Sequence, residues 1–213
     1  MTPKTYFFIS GAIAVFFIVF SYIVSTGTFQ TIDLTTTIIL QKNIPRAFDT
    51  SFSLLSLLGS FEVTTIAFVA GVAYLFKRSH NLSLPIISLY VFGTLLEIFG
   101  KRFLLHPSPP PTYFRYVGLI FPSGYVHTDY SYPSGHIFRI TFIAVFLLTA
   151  LNFKDKRAHA VVSILIFTAL MMISRIYLGE HWLTDVIGGT LLGTSLGLLT
   201  YFFLKTKKYT KSN

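Results

Sequence analysis

The sequence contains no cysteine, and this absence excludes a disulfide framework, a zinc–thiolate site and a cysteine nucleophile. Charged residues are also scarce, because Asp, Glu, Lys and Arg make up 12% of the 213 residues, about half of the fraction usual in soluble domains. Hydrophobic residues account for 53% of the chain. These proportions predict a membrane protein that crosses the bilayer several times.

Acidic residues are fewer than basic ones, with 8 Asp and Glu against 17 Lys and Arg and a formal net charge of +9. Such an excess suits nucleic acid binding when it is concentrated on one surface. Here the basic residues are spread through short loops and a C-terminal tail, which is typical of residues that orient a membrane protein and attract anionic lipid. The expected partner is the bilayer, with no nucleic acid and no obligate protein partner.

Long apolar runs predict an all-α fold, a bundle of six transmembrane helices in a single domain formed by residues 1–213. The first run is too long for the apolar core of a signal peptide, which is the alternative interpretation. Residues 28–60 mix charges with apolar clusters and are predicted to lie at the interface, whereas the Pro- and Tyr-rich residues 101–133 form a long external loop. The predicted spans are residues 5–27, 61–76, 82–100, 134–153, 158–178 and 182–204.

The distribution of Lys and Arg predicts how the bundle is oriented in the cell membrane. If both termini are cytoplasmic, ten of the 17 basic residues lie on the inner side, at Lys4 and within residues 77–78, 154–157 and 205–211. Residues 101–136 and 175–185 then lie together at the extracytoplasmic face. Two polar stretches on the same side of the membrane can form one site.

The segment 174–185 places polar residues between two apolar runs. His181 and Asp185 are four residues apart, so on a helix they share one face. A carboxylate one turn from an imidazole can hold one ring nitrogen and leave the other free to act. Arg175 adds a cation of a kind that is expensive near lipid and is usually functional. The alternative is a capped helix start in which Asp185 only binds His181.

The stretch Pro133–His136 stands where the fourth span is predicted to begin. Ser134 suits an N-cap, and the free N–H groups of a helix start can bind a phosphate. Gly135 permits a close approach of the backbone to a ligand. His136, in the first turn, is placed to give a proton to a leaving group. The alternative is a plain N-cap.

Lys101 ends the third span on the outer side, with Arg102 and His106 close behind it. These residues are candidates for binding a phosphate. Lys101 and Arg102 also suit interfacial anchors whose side chains extend to the lipid headgroups. Glu97 lies four residues before Lys101 and is placed to pair with it.

Together these stretches resemble the signature of the type 2 phosphatidic acid phosphatase superfamily, the integral-membrane lipid phosphate phosphatases. That signature consists of Lys-x6-Arg-Pro, then Pro-Ser-Gly-His, then Ser-Arg-x5-His-x3-Asp. Residues 133–136 match the second block in full, and Ser174, Arg175, His181 and Asp185 match the third. With the six-span layout, the resemblance covers nearly the whole chain.

The resemblance implies hydrolysis of a phosphate monoester or diphosphate on a membrane lipid, of the phosphatidylglycerol phosphate, phosphatidate or undecaprenyl diphosphate class. His181 would attack phosphorus and become a phosphohistidine, while Asp185 orients it. His136 would protonate the leaving oxygen and then activate water. The groups implied to hold the phosphate oxygens are Lys101, Arg175, Ser134 and Gly135.

Metal independence and the absence of a cofactor are expected from the resemblance and also from the residues. The two site stretches contain only three acids, Asp129, Glu180 and Asp185, which is too few for a carboxylate cluster that holds magnesium. Two histidines, a helix start and several cations are sufficient for an in-line phosphoryl transfer without a metal ion.

The first block departs from the signature, because Ser108 stands where the pattern has Arg. A phosphoryl group in transfer loses charge stabilisation when a guanidinium is missing. Further candidates for the missing cation are Arg139, Arg102 and His106. The departure leaves two alternative functions open: a phosphotransferase or head-group transferase that uses the same residues, and a non-catalytic lipid-phosphate binder or transporter.

Overall fold

The structure, a computed structural model, describes residues 2–78, 80–118, 128–150 and 157–210. Within these ranges the regular structure is helical, apart from one isolated bridge between Pro107 and Tyr130. The α-helices are α1 Pro3–Ser25, α2 Gln30–Asn43, α3 Asp49–Leu57, α4 Phe61–Arg78, α5 His80–Phe103, α6 Gly135–Ala150, α7 Arg157–Tyr177 and α8 Leu183–Thr210. The predicted all-α class is confirmed.

Each predicted span coincides with one of six helices, namely α1, α4, α5, α6, α7 and α8. The segment predicted to lie at the interface contains α2 and α3. The predicted external loop begins only after Phe103, because α5 continues past the predicted end of the third span. Residues 119–127 of that loop, and residues 151–156 after α6, lie outside the described residues.

Among the described residues, four helical segments are long and apolar enough to cross a bilayer. A fifth crossing arises if residues 46–57 and 61–76, which are bent by 41° relative to each other, form one span. The apolar stretch of α6, Gly135–Thr149, is shorter. It covers about 22 Å at the usual helical rise, less than the roughly 30 Å of a bilayer core. The protein is a membrane protein, and the count of six spans stays a prediction.

The outward faces of the long helices carry large apolar side chains. Phe8 on α1, Ile66 on α4 and Leu84 on α5 are each 70–71% exposed. Large exposed apolar areas are unfavourable in water and are typical of a surface that contacts lipid. The core lies inside the bundle, where Phe138 and Phe142 of α6 pack with side chains of α4, α5 and α8.

Small residues allow α6 and α8 to pack closely. Gly189, Gly193 and Gly197 are four residues apart along α8, so they lie on one face of the helix. A Cβ atom at Gly193 would lie 2.6 Å from the carbonyl oxygen of Phe138, and one at Gly189 would lie 2.5 Å from that of Ser134. Helices in membranes associate through such stripes because the backbones can approach each other. This packing holds the start of α6 beside the start of α8.

The turn between α7 and α8 is fixed by Gly179. Its φ of 69° is in the left-handed region, where glycine is unstrained. A Cβ atom there would also lie 2.2 Å from the carbonyl oxygen of Tyr113 in the external loop. The N–H of Arg115 donates to the carbonyl of Leu178 over 3.0 Å. The external loop and the turn that carries His181 are therefore packed against each other.

Candidate active site

A cavity of about 300 Å³ lies among α4, α5, α6, α7 and the α7–α8 turn. Five of its lining residues are ones that the sequence predicts for the site: Lys101, His136, Arg139, Arg175 and His181. They come from stretches separated by up to 80 residues along the chain. The structure thus brings together the three blocks identified in the sequence.

The His181 side chain is held by Asp185. Nδ1 of His181 lies 3.2 Å from Oδ2 of Asp185, and the same oxygen accepts the N–H of Trp182 over 2.9 Å. Because the carboxylate accepts the Nδ1 proton, the lone pair of Nε2 is left free. Burial, and after it the positive charge of Arg175, lowers the pKa of His181 well below its usual value. The imidazole is therefore neutral at neutral pH, as a nucleophile must be.

A second layer of polar groups lies behind Asp185. Nε2 of His106 is 3.4 Å from Oδ1 of Asp185 and 3.1 Å from the hydroxyl of Thr184. That hydroxyl donates its proton to Asp33 over 2.8 Å, so it accepts the Nε2 proton of His106. Burial lowers the pKa of His106 to about 4, so His106 is neutral at neutral pH.

As a phosphate ligand, His106 stays a candidate. It does not line the cavity but contacts the carboxylate that orients His181. Asp33 and Thr184, which complete this layer, are absent from the sequence prediction. Asp33 comes from α2 and is 151 residues away from Thr184, so no sequence spacing could reveal the contact.

His136 lies in the first turn of α6 and faces the cavity. Its Nε2 atom is buried and has no hydrogen-bond partner within the described ranges. Gly59, in the bend between α3 and α4, packs against the ring, since a Cβ atom there would lie 2.9 Å from Cδ2 of His136. An imidazole that is fixed by packing and has a free nitrogen can transfer a proton to or from a substrate.

Ser134 and Gly135 lie behind the cavity wall. Ser134 occupies the N-cap position, because its carbonyl accepts the N–H of Phe138 over 3.0 Å. Its own N–H donates to the carbonyl of Asp185 over 3.0 Å, which links the starts of α6 and α8. Neither residue lines the cavity. Their contact with a phosphate stays a prediction, while the N–H of Ser134 joins the two helix starts.

Each cation of the cavity is paired with a buried carboxylate. Glu97 accepts from Nζ of Lys101 over 2.9 Å and from Nη1 of Arg139 over 2.6 Å. Glu180 lies 2.5 Å from Nη1 of Arg175. The predicted pairing of Glu97 with Lys101 is thus confirmed. The Nε atoms of Arg139 and Arg175 are buried without partners in the part of the chain that the structure describes.

Glu97 and Glu180 are site residues that the sequence prediction missed. Gly135 permits Glu97 to approach the start of α6, since a Cβ atom at Gly135 would lie 1.8 Å from its Oε1. A carboxylate is favourable at a helix N-terminus. The available sequence signal was the presence of acids in apolar surroundings, one of them directly before His181.

The residue at which the family signature has Arg, Ser108 in this chain, lies at the cavity. Ser108 lines the cavity, and its hydroxyl donates to the carbonyl of Thr128 over 2.6 Å. Of the candidates for replacing the cation, Arg139 lines the same cavity. Arg102 is exposed at the end of α5 and is not among the lining residues. Within the described residues, no group of three or more His, Asp or Glu side chains is arranged to hold a metal ion.

An apolar groove of about 700 Å³ adjoins the cavity between α4 and α5. Phe61 and Thr94 line both spaces. The rest of the groove is lined mostly by apolar side chains, among them Phe68, Val72 and Val91. The cavity is thus a charged space, and the groove is an apolar channel that leads to it.

Comparison with known proteins gives a consistent result. The family model of the PAP2 superfamily matches residues 83–209. Undecaprenyl-diphosphatase of Sulfolobus acidocaldarius is 30% identical over 132 residues, which cover 62% of this chain and 60% of that protein, less than two thirds of its length. Phosphatidylglycerophosphatase B of Bacillus subtilis is 31% identical over 153 residues, which cover 68% of this chain and 67% of that protein.

A solved structure supports the fold. The crystal structure of a transmembrane PAP2 type phosphatidylglycerolphosphate phosphatase from Bacillus subtilis matches with a TM-score of 0.70 at 23% identity and covers 94% of this chain and 96% of that chain. The family model covers more than half of the present chain, including Lys101, His136 and His181. The resemblance based on residues 133–136 and 174–185 is thereby confirmed, and the chain belongs to the PAP2 superfamily.

Proposed function

We propose that this protein hydrolyses a phosphate monoester or diphosphate on a membrane lipid, without a metal ion and through a phosphohistidine intermediate. The observation that carries the proposal is that His181, oriented by Asp185, faces the same cavity as His136 and three basic side chains. A nucleophile, a proton carrier and cations around one space are what phosphoryl transfer requires.

The reaction proceeds in two steps. Nε2 of His181 attacks phosphorus, and the bond to the leaving oxygen breaks as His136 gives that oxygen a proton. His136 then removes a proton from water, which attacks the phosphohistidine and releases inorganic phosphate. Lys101, Arg139 and Arg175 stabilise the negative charge on the phosphoryl oxygens in both steps.

The apolar groove between α4 and α5 supports a lipid as the substrate. A chain in the groove would contact Phe68, Val72 and Val91, while its phosphate reaches the cavity past Phe61 and Thr94. Burying apolar surface there contributes about 25 cal/mol per Å². Entry from the side, out of the bilayer, follows from this arrangement. The names of the relatives favour phosphatidylglycerol phosphate, undecaprenyl diphosphate and related lipids as the substrates to test.

The proposal includes the orientation of the helix bundle in the membrane. The Lys and Arg distribution favours six spans with both termini in the cytoplasm. In this arrangement the short helix α6 crosses the bilayer at the centre of the bundle, where its side chains are buried. In that orientation the cavity opens at the extracytoplasmic face of the cell membrane.

The test is phosphate release by the purified protein in detergent, with EDTA present, from a panel that includes phosphatidylglycerol phosphate, phosphatidate and undecaprenyl diphosphate. We expect release by the wild type and its loss in His181→Ala. No release from any of these lipids contradicts the hydrolase function and leaves the non-catalytic binder as the better account. A product that forms only when a second acceptor is added identifies a transferase.

A further inference from the structure

The basic side chains that line the cavity are already neutralised in part by the protein itself. Lys101, Arg139 and Arg175 contribute three positive charges, and Glu97 and Glu180 contribute two negative charges when both are ionised. All five side chains line the same cavity. A phosphate dianion that binds there is placed close to two carboxylates, and like charges at short distance repel strongly where little water is present.

The two carboxylates are held differently. Glu97 bridges two cations and uses both of its oxygens, at 2.9 and 2.6 Å. Glu180 binds one cation, Arg175, through Oε2 alone, and the hydroxyl of Ser56 lies 3.4 Å from that same oxygen. Oε1 of Glu180 is buried and has no hydrogen-bond partner within the described ranges. Glu180 is therefore the carboxylate with less stabilisation of its ionised form and with a free oxygen that can carry a proton.

We propose that Glu180 is the counter-ion that gives way to the substrate: as a phosphate group binds at Arg175, Glu180 takes up one proton from the solvent. This inference rests on the proposed function, because it needs a phosphate group in the cavity. The protonated acid no longer repels the phosphate and can donate a hydrogen bond to it from Oε1. No covalent bond changes, and the proton adds to the complex.

The surroundings of Glu180 fit this role. Burial raises the pKa of its carboxyl group to about 7, and Arg175 opposes that rise. A dianion at Arg175 raises this pKa further, because it adds negative charge and competes for the guanidinium. The other titratable or charged groups that line the cavity with Glu180 are Glu62 of α4, Glu97 and Lys101 of α5, His136 and Arg139 of α6, Arg175 of α7 and His181 of the same turn.

Proton uptake by Glu180 makes the affinity for a phosphate group depend on pH. Above about pH 7 Glu180 is ionised in the empty site, so binding requires proton uptake and weakens as the pH rises. Near pH 7 about half of the molecules already carry the proton, so the average uptake is about a half, and near pH 8 it approaches one. A Glu180→Gln variant carries a neutral side chain at every pH and takes up no proton at this position.

The experiment is isothermal titration calorimetry of the purified protein with tungstate, a tetrahedral dianion that has no titratable proton near pH 7–8. Titrations in two buffers of different ionisation enthalpy give the number of protons taken up. We expect wild-type uptake to rise from about a half near pH 7 to about one near pH 8. Uptake is expected to be lower by about one proton near pH 8 in Glu180→Gln. The control Glu62→Gln, which removes another carboxylate of the cavity, keeps the wild-type number.

The outcomes separate this inference from the function on which it rests. Tungstate binding with an unchanged proton number in Glu180→Gln overturns the role of Glu180 and leaves the phosphatase function standing. If Glu180→Gln does not fold, the wild type alone decides, because a proton number near zero at pH 8 overturns the role. A wild type that binds no tungstate contradicts the anion site itself, and with it both proposals.

Discussion

At the scale of single residues, the properties of His181 depend on groups that do not line the cavity. Asp185 fixes its ring, and Asp185 is in turn contacted by His106, which Thr184 and Asp33 hold from behind. Such outer contacts keep a catalytic carboxylate in one orientation, and small displacements reduce the rate because the attacking atom is misplaced. We therefore expect His106 to be a positioning residue for His181.

We expect His106→Leu to lower kcat by about tenfold, about 1.4 kcal/mol of barrier, because the layer behind Asp185 loses the Nε2–H group that binds Thr184. His106→Gln, which can still donate from its side chain, is expected to retain most of the activity. The pKa of His106 is about 4, so its charge does not change between about pH 6 and pH 8, and the loss should be equal at both. Kinetics at the two pH values test this, and a loss confined to one of them, or no rescue by Gln, contradicts the positioning role.

A second residue-scale prediction concerns the cation that replaces the guanidinium missing at Ser108. Arg139 lines the cavity, and its Nε atom has no partner among the described residues, so Arg139→Ala should lower kcat/KM at least tenfold, about 1.4 kcal/mol. Arg102→Ala is the matched control, because Arg102 is exposed and away from the cavity, and it should leave kcat/KM unchanged. Phosphate release by both variants decides between them. Activity that survives in Arg139→Ala and is lost in Arg102→Ala would reverse the assignment.

The sequence predicts the residues proposed to carry the chemistry more completely than it predicts the residues that contact them. His181 and Asp185 are four residues apart, and helical geometry alone brings them together. Arg139 and Glu97 are 42 residues apart, and Ser56 and Glu180 are 124 residues apart, so their contacts depend on helix packing that no local pattern encodes. His106 was predicted as a candidate by its position beside Lys101. Its contact with Asp185 could not be predicted, because the two residues are far apart in the sequence.

At the scale of the helices, the cavity depends on the close packing of α6 against α8. Both helices begin at the cavity, and the N–H of Ser134 binds the carbonyl of Asp185 there. The apolar runs predict the helices well because each run is long and contains at most one Asp, Glu, Lys or Arg. The sequence predicts a break at Gly59 but not the 41° bend between residues 46–57 and 61–76. The bend depends on side chains that pack against Gly59, including the ring of His136.

We expect Gly193→Ala to destabilise the protein by about 1–3 kcal/mol, because its Cβ atom would lie 2.6 Å from the backbone oxygen of Phe138 and force the helices apart. Gly11→Ala in α1 is the control, since no atom of the described residues lies within 4 Å of the added methyl group. A thermal melt in detergent should give a lower Tm for Gly193→Ala alone. Equal Tm values for the two variants would contradict the close packing.

At the scale of the whole protein, the orientation of the helix bundle in the bilayer decides which side of the membrane the cavity faces. Because the chain has no cysteine of its own, single engineered cysteines report their side of the membrane without a background. Thr112 is exposed in the loop that follows α5 and is expected at the outer face, whereas Lys207 belongs to the basic C-terminal stretch that is expected inside. In intact cells, a membrane-impermeant maleimide should label Thr112→Cys and not Lys207→Cys. The reverse pattern contradicts the orientation.

The sharpest test of His181 as the nucleophile is the trapping of a phosphoenzyme from a lipid substrate that carries radioactive phosphate. If His181 is the nucleophile, rapid quenching in alkali should leave an acid-labile label on the wild-type protein, at His181, in the presence of EDTA. The label should be absent from His181→Ala, which lacks the nucleophile. Phosphate release that persists in His181→Ala, or a label on another residue, would contradict the account.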